Sequence, residues 1–356
     1  MGAVFHLQCG HRCWWADSWG CVSEEETMTE FDVRTVSVPT ADDRAAARAV
    51  VDRYLSPTPL IPAPALGPSV FVKAECLQVT GSFKVRGGLA ALDATERLAP
   101  GRAIVTCSAG NHGLGVAYAS SVLGIDATVV VPVTASPVKV AKLRALGATL
   151  VEHGDDYGAA EHYALDLARR RGAVFISPYN DTAVIAGQST LATEIMEQLP
   201  EVSTVICPIG GGGLASGLVL GFSDHDVTVV GVQPEQNAAM AAVLAGEPQS
   251  FADGHTVADG LAGGVEPGAV TATILASAEV AVVTVSEDAI ARAVAEIFST
   301  LGLIVEGSAA VTWAAVRSGL VATPPGTVLL LTGRNITAAL FARLLGQSQV
   351  AASSTA

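Results

Sequence analysis

Basic residues are in short supply. Twenty Lys and Arg face 34 Asp and Glu among 356 residues, a formal charge of -14. A nucleic-acid backbone demands a cationic surface, so a nucleic-acid partner is excluded, and the acidic balance needs no explanation beyond solubility. Aromatics make up 5% and charged residues 15% of the chain, whereas half of it is apolar. A disordered chain is thereby excluded, and an all-β sandwich is disfavoured. No uninterrupted apolar run approaches the roughly 20 residues that span a bilayer, so no membrane partner is expected. The N-terminus also lacks a basic segment followed by an apolar core and a cleavage site, and a cytoplasmic protein is the expectation.

Cysteines number six. Cys76, Cys107 and Cys207 sit in apolar, strand-like contexts and read as buried thiols. Cys9, Cys13 and Cys21 crowd the start beside His6 and His11, but Trp14, Trp15 and Trp19 intervene and the spacing fits no standard zinc arrangement, so no metal is expected. Residues 1 to 27 differ in composition from everything after Met28. Residues 1–32 are accordingly expected to be a disordered or non-native extension, an expectation that the intact mass of the native protein tests.

What is abundant is Ala, Val, Gly and Leu in alternating helix and strand patterns, the signature of an α/β protein with parallel-sheet cores flanked by helices. The spacing predicts a helix over 40–54, stopped by the Pro pair at Pro57 and Pro59, and a Pro-rich extended stretch after it. A strand over 69–75, a helix over 82–94 and a strand over 103–107 follow. Helices are then expected near 137–146, 157–171, 183–198 and 287–300, and strands near 127–131, 149–151, 174–176, 204–207, 227–232, 281–285 and 327–331. The length suits two domains, and the roughly 20 residues after the last strand are too few for an appended regulatory domain.

Three segments hold the chemistry. Gly210, Gly211, Gly212 and Gly213 stand between a strand and a helix, where residues without Cβ expose several backbone N–H groups beside a helix N-terminus. That favours a phosphate, with a tight turn as the plain alternative. No Lys-Ser or Lys-Thr pair follows, so it is no Walker loop, and the acidic residue of a dinucleotide site is missing near Gln233. Ser108, Ala109, Gly110, Asn111 and His112 occupy another strand-to-helix junction suited to an anion. Lys84, in Thr80-Gly-Ser-Phe-Lys-Val-Arg-Gly87, opens a helix whose backbone donors disfavour a cation, and a neutral amine can attack an aldehyde.

From about Val36 to Thr337 the chain resembles the serine/threonine dehydratase family of fold-type II pyridoxal-phosphate enzymes, whose fold is like that of the tryptophan synthase β chain. The shared blocks are Gly81-Ser-Phe-Lys84, Ser108-Ala-Gly-Asn-His-Gly113, Asn180-Asp181 with Gly187-Gln188, the tetraglycine, Ala258-Asp-Gly260, Glu306 and Thr332-Gly-Arg-Asn335. The resemblance implies pyridoxal 5'-phosphate as cofactor, held as a Schiff base by Lys84, whose freed amine then acts as the Cα base. It also implies Phe83, Asn111, Gly210, Gly211, Gly212, Gly213 and Thr332 as cofactor-binding residues, with Asn111 on the phenolic oxygen and Thr332 facing the pyridine nitrogen. The substrate carboxylate is assigned to Ser108, Ala109, Gly110, Asn111 and His112, although His112 has an ordinary packing role as its more usual reading. A neutral hydroxyl at the pyridine makes a weaker electron sink than a carboxylate would, so expulsion of a β-leaving group is the expected chemistry, assisted by the bound phosphate.

The implied reaction is that of a carbon-oxygen lyase: α,β-elimination from L-threonine or L-serine to a 2-oxo acid and ammonium. β-Replacement, racemisation, 3-hydroxyaspartate as substrate, and an amino-acid sensor without turnover stand as alternatives. Ala109 replaces the second acid-base serine of related racemases, which ranks racemisation below elimination. Gln233 and Ala239 replace acidic residues of a cation site found in many relatives, so no metal is expected there. Arg334 replaces a small residue and leaves an acidic substrate open. The expected organisation is a large cofactor-binding domain of residues 33–101 plus 181–345, a small mobile domain of residues 102–180, and a flexible tail over 346–356. A homodimer with a small amino acid as its binding partner completes the expectation.

Overall fold

A computed structural model describes residues 36–249 and 256–353. The expected extension at residues 1–32, with its Cys and His tract, lies outside them. In chain order the first half runs α1 (Ala41–Tyr54), β1 (Leu60–Pro62), β2 (Val70–Lys73), α2 (Lys84–Leu98), β3 (Ile104–Cys107), α3 (Asn111–Leu123), β4 (Ala127–Val131), α4 (Pro137–Ala145), β5 (Thr149–Glu152), α5 (Tyr157–Arg171) and β6 (Val174–Phe175). The second half runs α6 (Thr182–Gln198), β7 (Thr204–Pro208), α7 (Gly213–Gly221), β8 (Thr228–Pro234), α8 (Ala239–Leu244), α9 (Val270–Ser277), β9 (Ala281–Val285), α10 (Glu287–Leu301), α11 (Gly307–Arg317), β10 (Thr327–Leu330) and α12 (Ala338–Ser353).

The strands assemble into two sheets. One has six strands in the order β1-β2-β10-β7-β8-β9, and the other has four in the order β5-β4-β3-β6. All neighbours are parallel except β1, which pairs antiparallel with β2 at the edge. Pro62 is tolerated there because an edge strand can forgo a ladder donor. Parallel strands lie between layers of helices and must be apolar on both faces. Accordingly β3, β4, β7 and β10 are buried at every position. Each fully buried Val, Leu or Ile contributes roughly 1.5–3 kcal/mol.

Local signals set where the helices begin. Thr40 and Asp43 form a reciprocal capping box at α1, and Asp156, Asp181 and Ser286 accept amide hydrogens in the first turns of α5, α6 and α10. The Asp181 cap matters for the site, since it starts α6 directly after Pro178-Tyr179-Asn180. The helix α12 runs through Ser353, well into the 346–356 stretch expected as a flexible tail. Ala and Leu dominate it and favour a helix over coil.

Small residues let three helices close on one another around the start of α2. A Cβ on Gly88 would stand 2.7 Å from the Gly115 carbonyl oxygen, and one on Gly115 would stand 2.8 Å from the Lys84 carbonyl oxygen. Gly187 of α6 likewise lies against the Arg86 carbonyl, with 2.6 Å to a Cβ there. Thus α2, α3 and α6 approach backbone to backbone, and the first turn of α2 is wedged between the two sheets' helices.

Candidate active site

Lys84 occupies the first helical position of α2, and its neighbours are tied to the end of β10. Phe83 N–H donates to the Thr332 carbonyl (3.1 Å), and Ser82 forms an isolated antiparallel bridge with Gly333. The Lys84 ammonium is turned inward, donating to the Pro178 carbonyl at 2.7 Å and lying 5.3 Å from the centre of the Phe83 ring. Enclosure away from water brings its pKa down to about 8, against the opposing pull of the Glu306 carboxylate. The lowering expected at a helix start is present, with burial as its principal cause.

Two helix N-termini flank this amine. At α3, Gly110 N–H is taken by the Ser108 hydroxyl (3.1 Å), while the amide hydrogens of Ala109, Asn111 and His112 have no partner among the described residues. At α7, the amides of Gly210, Gly211 and Gly212 are likewise unpartnered. Such orphan donors at a helix start are an anion cradle. Gly212 has φ +88°, a conformation that side chains resist. A Cβ on Gly211 would stand 2.3 Å from the Tyr179 ring, so the loop and Tyr179 pack without a gap. Tyr179 follows Pro178, and thus the glycine loop and the Lys84 amine lie on either side of one short segment. Thr271 fixes the loop from behind, donating its hydroxyl to the Gly211 carbonyl at 2.7 Å.

His112 points into the protein rather than into the cleft. Its Nε2 lies 2.9 Å from the Thr106 hydroxyl, and burial together with the Lys84 charge drives its pKa to about 3. The ring is neutral, and its packing role ties α3 to β3. Asn111 stands next to it, at the first position of α3. Its Nδ2 donates to Glu306 Oε1 (2.6 Å), and its Oδ1 accepts from Asn335 Nδ2 (2.6 Å). Glu306 also accepts from Asn335 N–H at 2.9 Å. Burial and the charge of Asp259 raise the Glu306 carboxyl to about 7, against the hydrogen bonds from Asn111 and Asn335 and the charge of Lys139. Thr332 is 3% exposed and its hydroxyl has no partner among the described residues.

The sequence singled out Glu306 and Asn335 as motif members without a role; the structure joins both to Asn111. Sequence reasoning missed a second group altogether. Arg86 forks onto Glu75 through Nε (2.9 Å) and Nη2 (2.8 Å), and Nη2 also donates to Glu194 (2.7 Å). Lys73 donates to Glu194, the Thr58 carbonyl and Gln198, each at 2.6 Å. Arg86 and Glu75 are 1% and 0% exposed at the side chain. Two cations and two anions balance within the core, and loss of one member strands its partner at a cost of about 3–5 kcal/mol. This cluster anchors the turn that carries Lys84. The sole signal for it in the sequence is a charged residue inside an apolar stretch at Lys73 and Glu75.

Arg334 donates to the Cys76 carbonyl at 2.6 Å. Gln233 accepts from Ala241 N–H (2.9 Å), and Asn237 donates to the Leu261 carbonyl (3.1 Å), so both amides are engaged in holding α8 and the 259–263 loop. No cluster of three or more His, Cys, Asp or Glu suited to a metal occurs among the described residues.

A half-buried amine of lowered pKa beside two anion cradles suits an aldehyde cofactor with an anionic tail. The unpartnered amides at 210–212, the loop without side chains and the unpaired Thr332 hydroxyl fit the phosphate and ring nitrogen of pyridoxal phosphate. Comparison with known proteins points the same way. Residues 51–333 match the model of the family described as pyridoxal-phosphate dependent enzyme. An L-threonine ammonia-lyase of Thermotoga maritima is 38% identical over 290 residues, 80% of this chain and 71% of the relative. The L-threonine dehydratase catabolic TdcB of Escherichia coli is 36% identical over 78% of this chain and 86% of its own. Among solved structures, threonine deaminase isoform 2 from Solanum lycopersicum superposes with a TM-score of 0.78 at 28% identity, covering 89% of this chain and 91% of that one. An aspartate racemase superposes at 0.76 and 30% identity, over 86% and 98%.

Proposed function

The chain belongs to the family of pyridoxal-phosphate dependent enzymes, and we propose that it converts a small β-hydroxy amino acid, L-threonine or L-serine, to a 2-oxo acid and ammonium. The observation that carries this reading is the Lys84 amine, enclosed, shifted to about 8 and set between two sets of unpartnered amides. Pyridoxal phosphate, when bound, supplies an electron sink that makes the substrate's Cα–H bond acidic.

The residues divide the remaining work. Lys84 would hold the cofactor and its amine would serve as the base for the Cα proton, since an amine with a pKa near 8 has a substantial neutral fraction at physiological pH. Of the 108–112 stretch, Ala109, Asn111 and His112 offer free amides to the carboxylate and Ser108 its hydroxyl hydrogen, whereas the amides of Ser108 and Gly110 are held by the Val130 carbonyl and the Ser108 hydroxyl. Asn111 would meet the phenolic oxygen, the amides of Gly210 to Gly213 would hold the phosphate and Thr332 would face the ring nitrogen, while Phe83 packs beside the amine. Breaking Cα–H and then Cβ–O forms a carbon-carbon double bond and expels the hydroxyl as water. The unsaturated amine, once released, takes water back and yields the 2-oxo acid with ammonium, so substrate and products balance.

Two observations order the alternatives. Ala109 offers no proton donor on the second face, which ranks racemisation lower. The Arg334 guanidinium donates to the Cys76 carbonyl, which ranks an acidic substrate lower. Residues 102–180, with the four-stranded sheet, form the small mobile domain of this reading, set against 33–101 plus 181–345. A homodimer in the cytoplasm is also part of it, supported by family membership alone. No helix among the described residues is long and apolar enough to cross a membrane.

The test is a screen of 3-hydroxy amino acids for 2-oxo acid and ammonium. L-threonine or L-serine should give both in equal amounts. Faster conversion of L-serine to D-serine than to pyruvate, or aldehyde-type absorbance without any turnover, refutes the reading.

A further inference from the structure

The amide of Asn111 is held by a chain of hydrogen bonds that starts on the protein surface. Lys142, exposed on α4, donates to Asn335 Oδ1 at 3.1 Å. Asn335 Nδ2 donates to the Thr80 carbonyl (2.9 Å) and to Asn111 Oδ1 (2.6 Å), and Asn111 Nδ2 donates to Glu306 Oε1 (2.6 Å). The order of donors has only one solution. An ammonium can only donate, so Asn335 must present its oxygen to Lys142 and its NH2 inward. The Thr80 carbonyl, which can only accept, demands the same orientation. Asn111 must then meet Asn335 with its oxygen and turn its NH2 towards Glu306, leaving one amide hydrogen unused.

Resting on the reading above, we propose that Lys142 and Asn335 are positioning residues: acting in series across the cleft, they fix which face of the Asn111 amide meets the bound ring. Lys142 belongs to the helix beside the four-stranded sheet, whereas Asn335 follows β10 of the six-stranded sheet, so the series forms only when α4 lies against the 332–335 loop. A second contact closes the same edge, from Lys139 to Asp259 at 2.8 Å. The charged group bonded to Asn111 is Glu306, which in turn feels Lys84, Asp259 and Lys139, while Lys142 bonds Asn335. A flipped Asn111 would direct its oxygen at the Glu306 carboxylate and at any phenolate, and both meetings repel.

Cofactor-loaded protein tests this through the visible absorbance band and its pH titration, read beside kcat and KM. Asn335→Ala should shift the titration midpoint by half a pH unit or more and lower kcat about ten-fold, with a smaller change in KM. Lys142→Ala should move the same two readouts in the same direction, with about a three-fold loss of kcat, because the pair is exposed and Thr80 still holds Asn335. Lys142→Arg should restore both. In the Asn335→Ala background, Lys142→Ala should add nothing, which is the mark of two residues acting in series. An unchanged band in Asn335→Ala, or an additive effect of the double substitution, overturns the inference while leaving the parent reading intact. A wild-type protein that shows no visible band at all overturns that reading, and the inference with it.

Discussion

Glu306 shows how one buried residue governs the behaviour of its surroundings with pH. Its carboxyl titrates near 7 in the fold against an ordinary value of 4.5, so the folded state holds its proton more tightly than the unfolded state does. Stability contributed by the protonated form is full below pH 4.5 and is lost as pH rises through 7. Glu306→Gln removes that dependence. In urea titrations of cofactor-free protein, the variant should gain on the wild type between pH 4.5 and pH ~8, by up to about 3 kcal/mol. A difference that stays constant with pH would show that Glu306 is not the titrating group. Residue roles of this sort were the least legible part of the sequence. Glu306, Asn335 and Asn111 stand in separate motifs, and nothing in their spacing says that they share hydrogen bonds. Arg86, Glu75, Lys73 and Glu194 are still further from view, since charge pairing across β2, α2 and α6 exists only after folding.

At the scale of elements, the helices that matter most are the ones brought together by missing side chains. Gly115 allows α3 to rest on the Lys84 carbonyl, so Gly115→Val should push the 108–112 loop away from the amine. Overpacking of this kind costs about 1–3 kcal/mol. The expected outcome is a lowered melting temperature together with a rise in KM for the amino acid, since the carboxylate cradle moves with α3. An unchanged KM in a folded variant would contradict the placement of that cradle. Elements with a clear period or a long apolar run were readable in advance: α5, β4 and β9 fall where the pattern puts them, and β3, β7 and β8 within a residue or two. Those that went unread have physical reasons. The helix α11 is Ala-rich and buried on nearly all sides, so it shows no amphipathic stripe, and α8 and α9 are short and similarly apolar. The strand β1 has three residues, one of them Pro62.

For the whole molecule, the α/β class with parallel-sheet cores was evident from composition and alternation, and the structure has that architecture. The partition into two sheets follows from where the chain leaves and re-enters the larger one, which local pattern does not encode. The cleft between them is bridged at its rim by Lys139 with Asp259 and by Lys142 with Asn335, both exposed. Exposed pairs of this type are worth about 0–1 kcal/mol each, so they oppose separation of the two sheets only weakly, and the proposed mobility of residues 102–180 predicts closure on ligand. Small-angle scattering of the cofactor-loaded protein should accordingly show a smaller radius of gyration once L-serine or a non-reacting analogue is added. An unchanged radius would mean that residues 102–180 do not move as a unit.

The most direct test of the central claim concerns one covalent attachment. Purified protein incubated with pyridoxal phosphate, reduced with borohydride, digested and mapped by mass should bear the reduced adduct on the peptide containing Lys84, and Lys84→Ala should be colourless. An adduct confined to other lysines, or none on a folded wild-type protein, would contradict the account.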